Sequence, residues 1–156
     1  MQNFNAKLEN WDEKFVRFTG RIAVPFARFS IFIIYFYFGI IKIFSLQGAA
    51  TPMVWALLDK VLPGTHPVPF LIAFGVLEIL IGLIFIIPRF ERLGLFLLAL
   101  HIFTTILPLF ILLEFTWKSF LIPTIEGQYI IKNILIVALA FVIFASLKTL
   151  KEDKPH

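Results

Sequence analysis

The chain has 156 residues, 60% of them hydrophobic and only 15% charged, with a mean hydropathy of +0.93. A soluble domain is about 45–50% apolar and about 25% charged, and a core of this size cannot hide the surplus. Cysteine is absent, which excludes disulfide scaffolds and Cys-based redox, zinc or iron–sulfur roles, and the net charge of +4 is scattered around apolar runs instead of gathered for nucleic acid.

The composition predicts an all-α integral membrane protein: an antiparallel four-helix bundle with an amphipathic N-terminal segment. Residues 1–21 carry too many charges for a signal-peptide core, but Phe4, Leu8, Trp11, Phe15 and Phe18 recur at intervals of three or four. That spacing predicts an amphipathic helix on the cytoplasmic membrane surface. A span needs about 20 mostly apolar residues, and four stretches qualify: 22–44, 68–87, 93–113 and 129–147. Pro25 is placed in the first turn of the first span, where its missing N–H costs least. An interfacial helix is expected around residues 52–62, with Trp55 as its anchor. Pro88, Arg89, Phe90, Glu91 and Arg92 make a tight turn that forces the second and third spans to be antiparallel neighbours. Residues 22–147 form the membrane domain, and residues 148–156 a basic cytoplasmic tail.

Topology follows the distribution of Lys and Arg. Lys7, Lys14, Arg17, Arg21 and Arg28 fall on the side of Arg89, Arg92, Lys148, Lys151 and Lys154, against Lys42, Lys60, Lys118 and Lys132 on the other. Both termini are expected in the cytoplasm.

Ionisable groups in hydrocarbon are costly, about 2.5–3.5 kcal/mol on insertion scales, so each asks for a partner or a purpose. Arg21, Arg28, Tyr35 and Lys42 recur at intervals of seven and make one stripe, with Gly39 beside them. Glu78 lies between Gly75 and Gly82; His101, Thr104, Thr105 and Pro108 share a side of the third span; Gln128, Lys132 and Asn133 open the fourth. At 1.5 Å per residue from the cytoplasmic ends, Arg28 lies about 9 Å deep, His101 about 12 Å and Glu78 about 15 Å. Tyr35 and Lys132 come at about 20–22 Å, and Lys42 near 30 Å. The predicted mid-membrane cluster is therefore Glu78, Arg28 and His101, with Tyr35 and Lys132 above. Lys42 is expected to snorkel outward or to meet Glu126. Three readings of the cluster stay open: a structural ion pair, a quinone or small-ligand site, and a proton or ion path. One intramembrane histidine cannot supply both axial ligands of a b-type haem, so haem is not expected. No metal-ligand spacing, phosphate loop or nucleophile elbow occurs.

The order of motifs resembles a known family. Phe38-Gly39-Ile40-Ile41-Lys42 ends the first span; Gly75-Val76-Leu77-Glu78-Ile79-Leu80-Ile81-Gly82 marks the second; Gly94 follows the basic turn; Glu126-Gly127-Gln128-Tyr129-Ile130-Ile131-Lys132-Asn133 opens the fourth. Over residues 22–147 these resemble the DoxX-like superfamily of small four-helix bacterial inner-membrane proteins. The resemblance assigns Gly39, Lys42, Glu126, Gln128 and Asn133 to an outer-face motif. It implies a membrane subunit or accessory component of a respiratory, quinone-linked redox complex, working beside other membrane proteins in the lipid bilayer. An enzyme acting alone is not expected, because every chemistry available lacks a partner group in this chain. A stand-alone assembly protein and a small transporter are the alternatives.

Overall fold

The computed structural model describes residues 2–45 and 51–147, with side chains described for 8–45 and 52–147. The basic tail of residues 148–156, with Lys148, Lys151 and Lys154, lies outside the described residues. In chain order the elements are α1 (Gln2–Phe44), α2 (Thr51–Val61), α3 (Pro67–Ile86), α4 (Glu91–Ile106), α5 (Pro108–Ile111), α6 (Leu113–Thr116), β1 (Trp117–Ser119), β2 (Ile122–Pro123), α7 (Ile125–Lys132) and α8 (Ile134–Ala145). Among the described residues four helical stretches are long and apolar enough to cross a membrane: Leu8–Phe44, Pro67–Ile86, Glu91–Ile111 and Ile125–Ala145.

Helix boundaries follow local chemistry. Pro67 opens α3 at a position whose N–H has no helical partner anyway. Pro88 ends α3 by pushing Ile87 into the extended region, at φ −85° and ψ 118°. Arg89 then takes φ 79°, a left-handed conformation uncommon outside glycine, and the chain turns at once into α4. Glu91 in the first turn of α4 suits the positive end of that helix.

Two predicted boundaries are corrected. Of the N-terminal segment predicted for residues 1–21, residues 2–21 continue into the first span, because α1 runs unbroken for 43 residues with Pro25 inside it. Pro25 removes one backbone hydrogen bond, and α1 continues across that gap. The third span is divided at Pro108, which separates α4 from α5. The loop after it also has structure: β1 and β2 pair as a short antiparallel hairpin, with Leu121 at φ 58° in its turn.

α1 packs most extensively against α3; it also touches α8, and α4 touches both α3 and α8. The α1–α3 approach is set by glycines. A Cβ on Gly39 would lie 2.6 Å from the Gly75 carbonyl oxygen and 2.9 Å from the Ile79 nitrogen, so the two backbones are in contact there. Gly82 meets Phe32 and Phe36 in the same way. Such close approach is how helices gain dispersion contacts in lipid, where apolar burial alone offers little. The dry centre is Ile31, Ile81, Phe85, Leu98 and Ile143, all essentially inaccessible.

Candidate functional site

One level along from that dry centre, four ionisable or polar side chains from three helices form a continuous hydrogen-bonded chain. Lys42 Nζ on α1 donates to both oxygens of Glu78 on α3, at 2.8 and 2.6 Å. The ring nitrogen Nε2 of His101 on α4 lies 3.0 Å from Glu78 Oε1. Its other nitrogen, Nδ1, lies 3.2 Å from the Tyr35 hydroxyl on α1. Glu78, His101 and Tyr35 are buried, and Lys42 is partly covered.

Donor and acceptor capacity sets the direction of each link, and the donations converge on Glu78 from both sides. A carboxylate accepts only, and an ammonium donates only. With Lys42 and Glu78 charged, Glu78 accepts from Nε2–H of a neutral imidazole, which leaves Nδ1 to accept from the tyrosine hydroxyl. The order Tyr35, His101, Glu78, Lys42 thus satisfies every link. Sequestering charges without partners costs several kcal/mol each, so the arrangement holds only as a set.

Aromatic rings wall the imidazole. Phe74 stacks on His101 with ring centroids 4.6 Å apart and 23° between planes, and Tyr35 meets the ring edge-on at 5.0 Å. Lys42 Nζ stands 5.8 Å from the Phe74 ring centre, within reach of its negative face. Phe70 extends the aromatic stack beyond Phe74. Phe74 is the site residue that sequence reasoning missed. Its signal was its position four residues before Glu78, on the same face of one helix.

The expected cluster is redrawn by two exchanges. Arg28 does not reach Glu78; its guanidinium pairs with Glu91 at the start of α4. Lys42, expected to face outward or to meet Glu126, takes the place at Glu78. The depth count failed because it set residue 22 of α1 level with residue 87 of α3. In the structure Gly82 lies against Phe32 and Phe36, and Gly75 against Gly39 and Lys42. This shifts α1 by about eight residues, or about 12 Å, relative to the assumed register. Arg28 then lies level with the α3–α4 turn, and Lys42 only about one helical turn from Glu78.

Lys132 also stays outside the cluster: it is exposed, with its ammonium 5.3 Å from the ring centre of Tyr129. Of the outer-face motif, Gly39 is the α1–α3 contact point, and Glu126, Gln128 and Asn133 lie on α7 or cap it. The opening of α7 is fixed by Thr124, whose hydroxyl accepts from the Gly127 N–H at 3.1 Å and donates to the Phe115 carbonyl at 2.7 Å. Gly127 itself packs on the Thr116 carbonyl, where a Cβ would come within 2.1 Å.

At the same end, α2 is tied down by Lys60, which donates to Glu114 at 3.1 Å and to the Ile111 carbonyl at 3.3 Å. The Glu114 carboxyl is held below the usual carboxylate range, first by its own backbone N–H and then by Lys60. Among the described residues no three His, Asp or Glu side chains converge as a metal site. A separate cavity of about 440 Å³ lies between α4 and α8, lined by apolar side chains that include Leu98, Ile102, Val137 and Phe141.

No protein-family model matches the chain, and neither a curated protein nor a solved structure does.

Proposed function

We propose that the chain is a small membrane component of a quinone-linked respiratory or redox assembly, assisting a cofactor and not catalytic alone. In this reading it is an antiparallel four-helix bundle of the DoxX-like type, in a bacterial inner membrane with both termini in the cytoplasm. The observation that carries the reading is the buried Tyr35–His101–Glu78–Lys42 chain. A hydroxyl and an imidazole backed by a carboxylate are groups able to hydrogen-bond a quinone carbonyl and to pass a proton toward or away from it. The stacked rings of Phe74 and Phe70 beside them suit a flat aromatic head group.

Support for the arrangement comes from the reversed order of contacts between α1 and α3 and from the short turn between α3 and α4. Arg28, Arg89 and Arg92 gather at one end, as the charge rule for cytoplasmic loops requires. The test is the assembly extracted gently from its own membrane. Glu78→Gln and His101→Ala should lower quinone affinity or turnover of the native complex. If both variants leave those quantities unchanged while the complex stays intact, the redox role fails.

A second reading is favoured by one specific observation: the four side chains satisfy one another. A closed set of this kind serves as a lock between α1, α3 and α4 in an assembly subunit with no chemistry of its own. Deleting the gene would then lower the amount of a partner complex without changing activity per complex.

A further inference from the structure

The longest helix carries an apolar seam that nothing among the described residues covers. At 1.5 Å per residue the 43 residues of α1 span about 64 Å, roughly twice the hydrocarbon thickness. Lys42 is near one end, so the residues before about position 22 lie beyond the hydrocarbon. Within that stretch Leu8, Trp11, Phe15, Phe18 and Ile22 recur at intervals of three, four, three and four. All are exposed, Trp11 at 68% and Phe15 at 69%. At 3.6 residues per turn they fall on the side of α1 opposite Ala27, Ile31 and Tyr35, the side away from the other helices.

We propose that a second copy of this chain covers the seam, the two α1 extensions pairing as a parallel coiled coil. The 3–4 spacing is the two-stranded pattern, with Leu8, Phe15 and Ile22 at a and Trp11 and Phe18 at d. Copies inserted into one membrane in one orientation present their α1 helices side by side and parallel. Charge placement agrees with that direction. The sequence puts a lysine at position 7 (g) and an aspartate at position 12 (e), the offset that pairs across a parallel seam; Lys14 (g) then faces Thr19 (e). An antiparallel pairing would set Lys14 against its own copy.

The lipid surface is the rival occupant, and two observations disfavour it. An interfacial helix would have to bend sharply away from the span, whereas α1 is unbroken through this region. Its polar side mixes Glu9, Asp12 and Glu13 with Lys14, Arg17 and Arg21, whereas a membrane-surface helix is predominantly Lys and Arg on that side. The Glu13–Arg17 pair, at 3.0 Å, lies on this outer face and leaves the seam untouched.

The chain contains no cysteine, so each single-cysteine variant of the full-length protein reports without background. In liposomes at low protein-to-lipid ratio, Leu8→Cys and Phe15→Cys should form disulfide-linked dimers severalfold faster under mild oxidation than Glu13→Cys and Arg17→Cys. Equal rates, or none, overturn the proposal. A second measurement covers loss of the seam by substitution. The Trp11 fluorescence of the unsubstituted chain, taken as the difference from Trp11→Phe, should resist quenching by brominated lipid. Strong quenching gives the seam to the bilayer and overturns the pairing.

Discussion

Lys42 and Glu78 each have one charged partner, and the asymmetry of their burial decides which substitution hurts more. The lysine side chain retains 20% exposure and sits near a helix end, whereas the carboxylate retains 6% in the middle of α3. Removing the ammonium therefore strands a buried anion, while removing the carboxylate releases a cation that is able to reach the surface. Lys42→Met is expected to cost about 3–5 kcal/mol of stability, Glu78→Leu less, and the double variant less than the sum. Unfolding of the four proteins in the same detergent or nanodisc measures the cycle. His101→Phe keeps the stack on Phe74 but orphans the Tyr35 hydroxyl and leaves Glu78 Oε1 to Lys42 alone; a loss of about 1–3 kcal/mol is expected. Outside the spans, Glu114 has its folded carboxyl lowered, so any stabilisation it lends is present above the ordinary carboxylate value and lost as pH falls through the lowered one. A carbon-detected titration should find its midpoint below the ordinary range. Lys60→Ala should raise that midpoint only in part, since the backbone bond is the larger cause. At this scale the sequence showed that Glu78, His101 and Tyr35 needed partners. It misassigned the cations because the start of each span was guessed separately, and the resulting offset of about eight residues between α1 and α3, about two helical turns, exchanges Arg28 for Lys42 beside Glu78.

Among elements, two glycines of α1 make opposite predictions. Gly20 has nothing within 4 Å of a built Cβ, whereas the Cβ of Gly39 would press on the α3 backbone. Gly20→Ala should raise stability by about 0.5–1 kcal/mol through helix propensity. Gly39→Ala should lower it by about 1–3 kcal/mol, because the object in the way is backbone that cannot swing aside. Comparing both melts against the parent tests the α1–α3 contact directly. The glycines on either side of Glu78 made that contact legible in the sequence, as did the apolar lengths of all four spans and the helix α2. The continuity of α1 was hidden, because Pro25 in a polar-to-apolar transition reads equally well as a first-turn proline. The β1–β2 hairpin was hidden too: its strands are two and three residues long, too short for any alternation to show.

For the molecule as a whole, the polar chain stops short of a passage. Between Tyr35 and the Arg28–Glu91 pair lie Ile31, Ile81, Phe85 and Leu98, with exposures of 0–1%. Protons or ions entering beside Lys42 meet a dry plug, whose cost to a charge is several kcal/mol. Proteoliposomes of the purified chain are therefore expected to show proton flux no faster than empty vesicles; measurable flux that Glu78→Gln abolishes would contradict the plug. The pairing of Lys42 with Glu78 also has a consequence in time. Thirty-six residues separate them, and at about 5–20 residues per second the ribosome needs about two to seven seconds to deliver the second after the first. For that interval the first span must wait with an unmatched cation. A lysine close to the helix end tolerates the delay at the bilayer surface, so the carboxylate, placed where waiting would be hardest, is the member that is synthesised second.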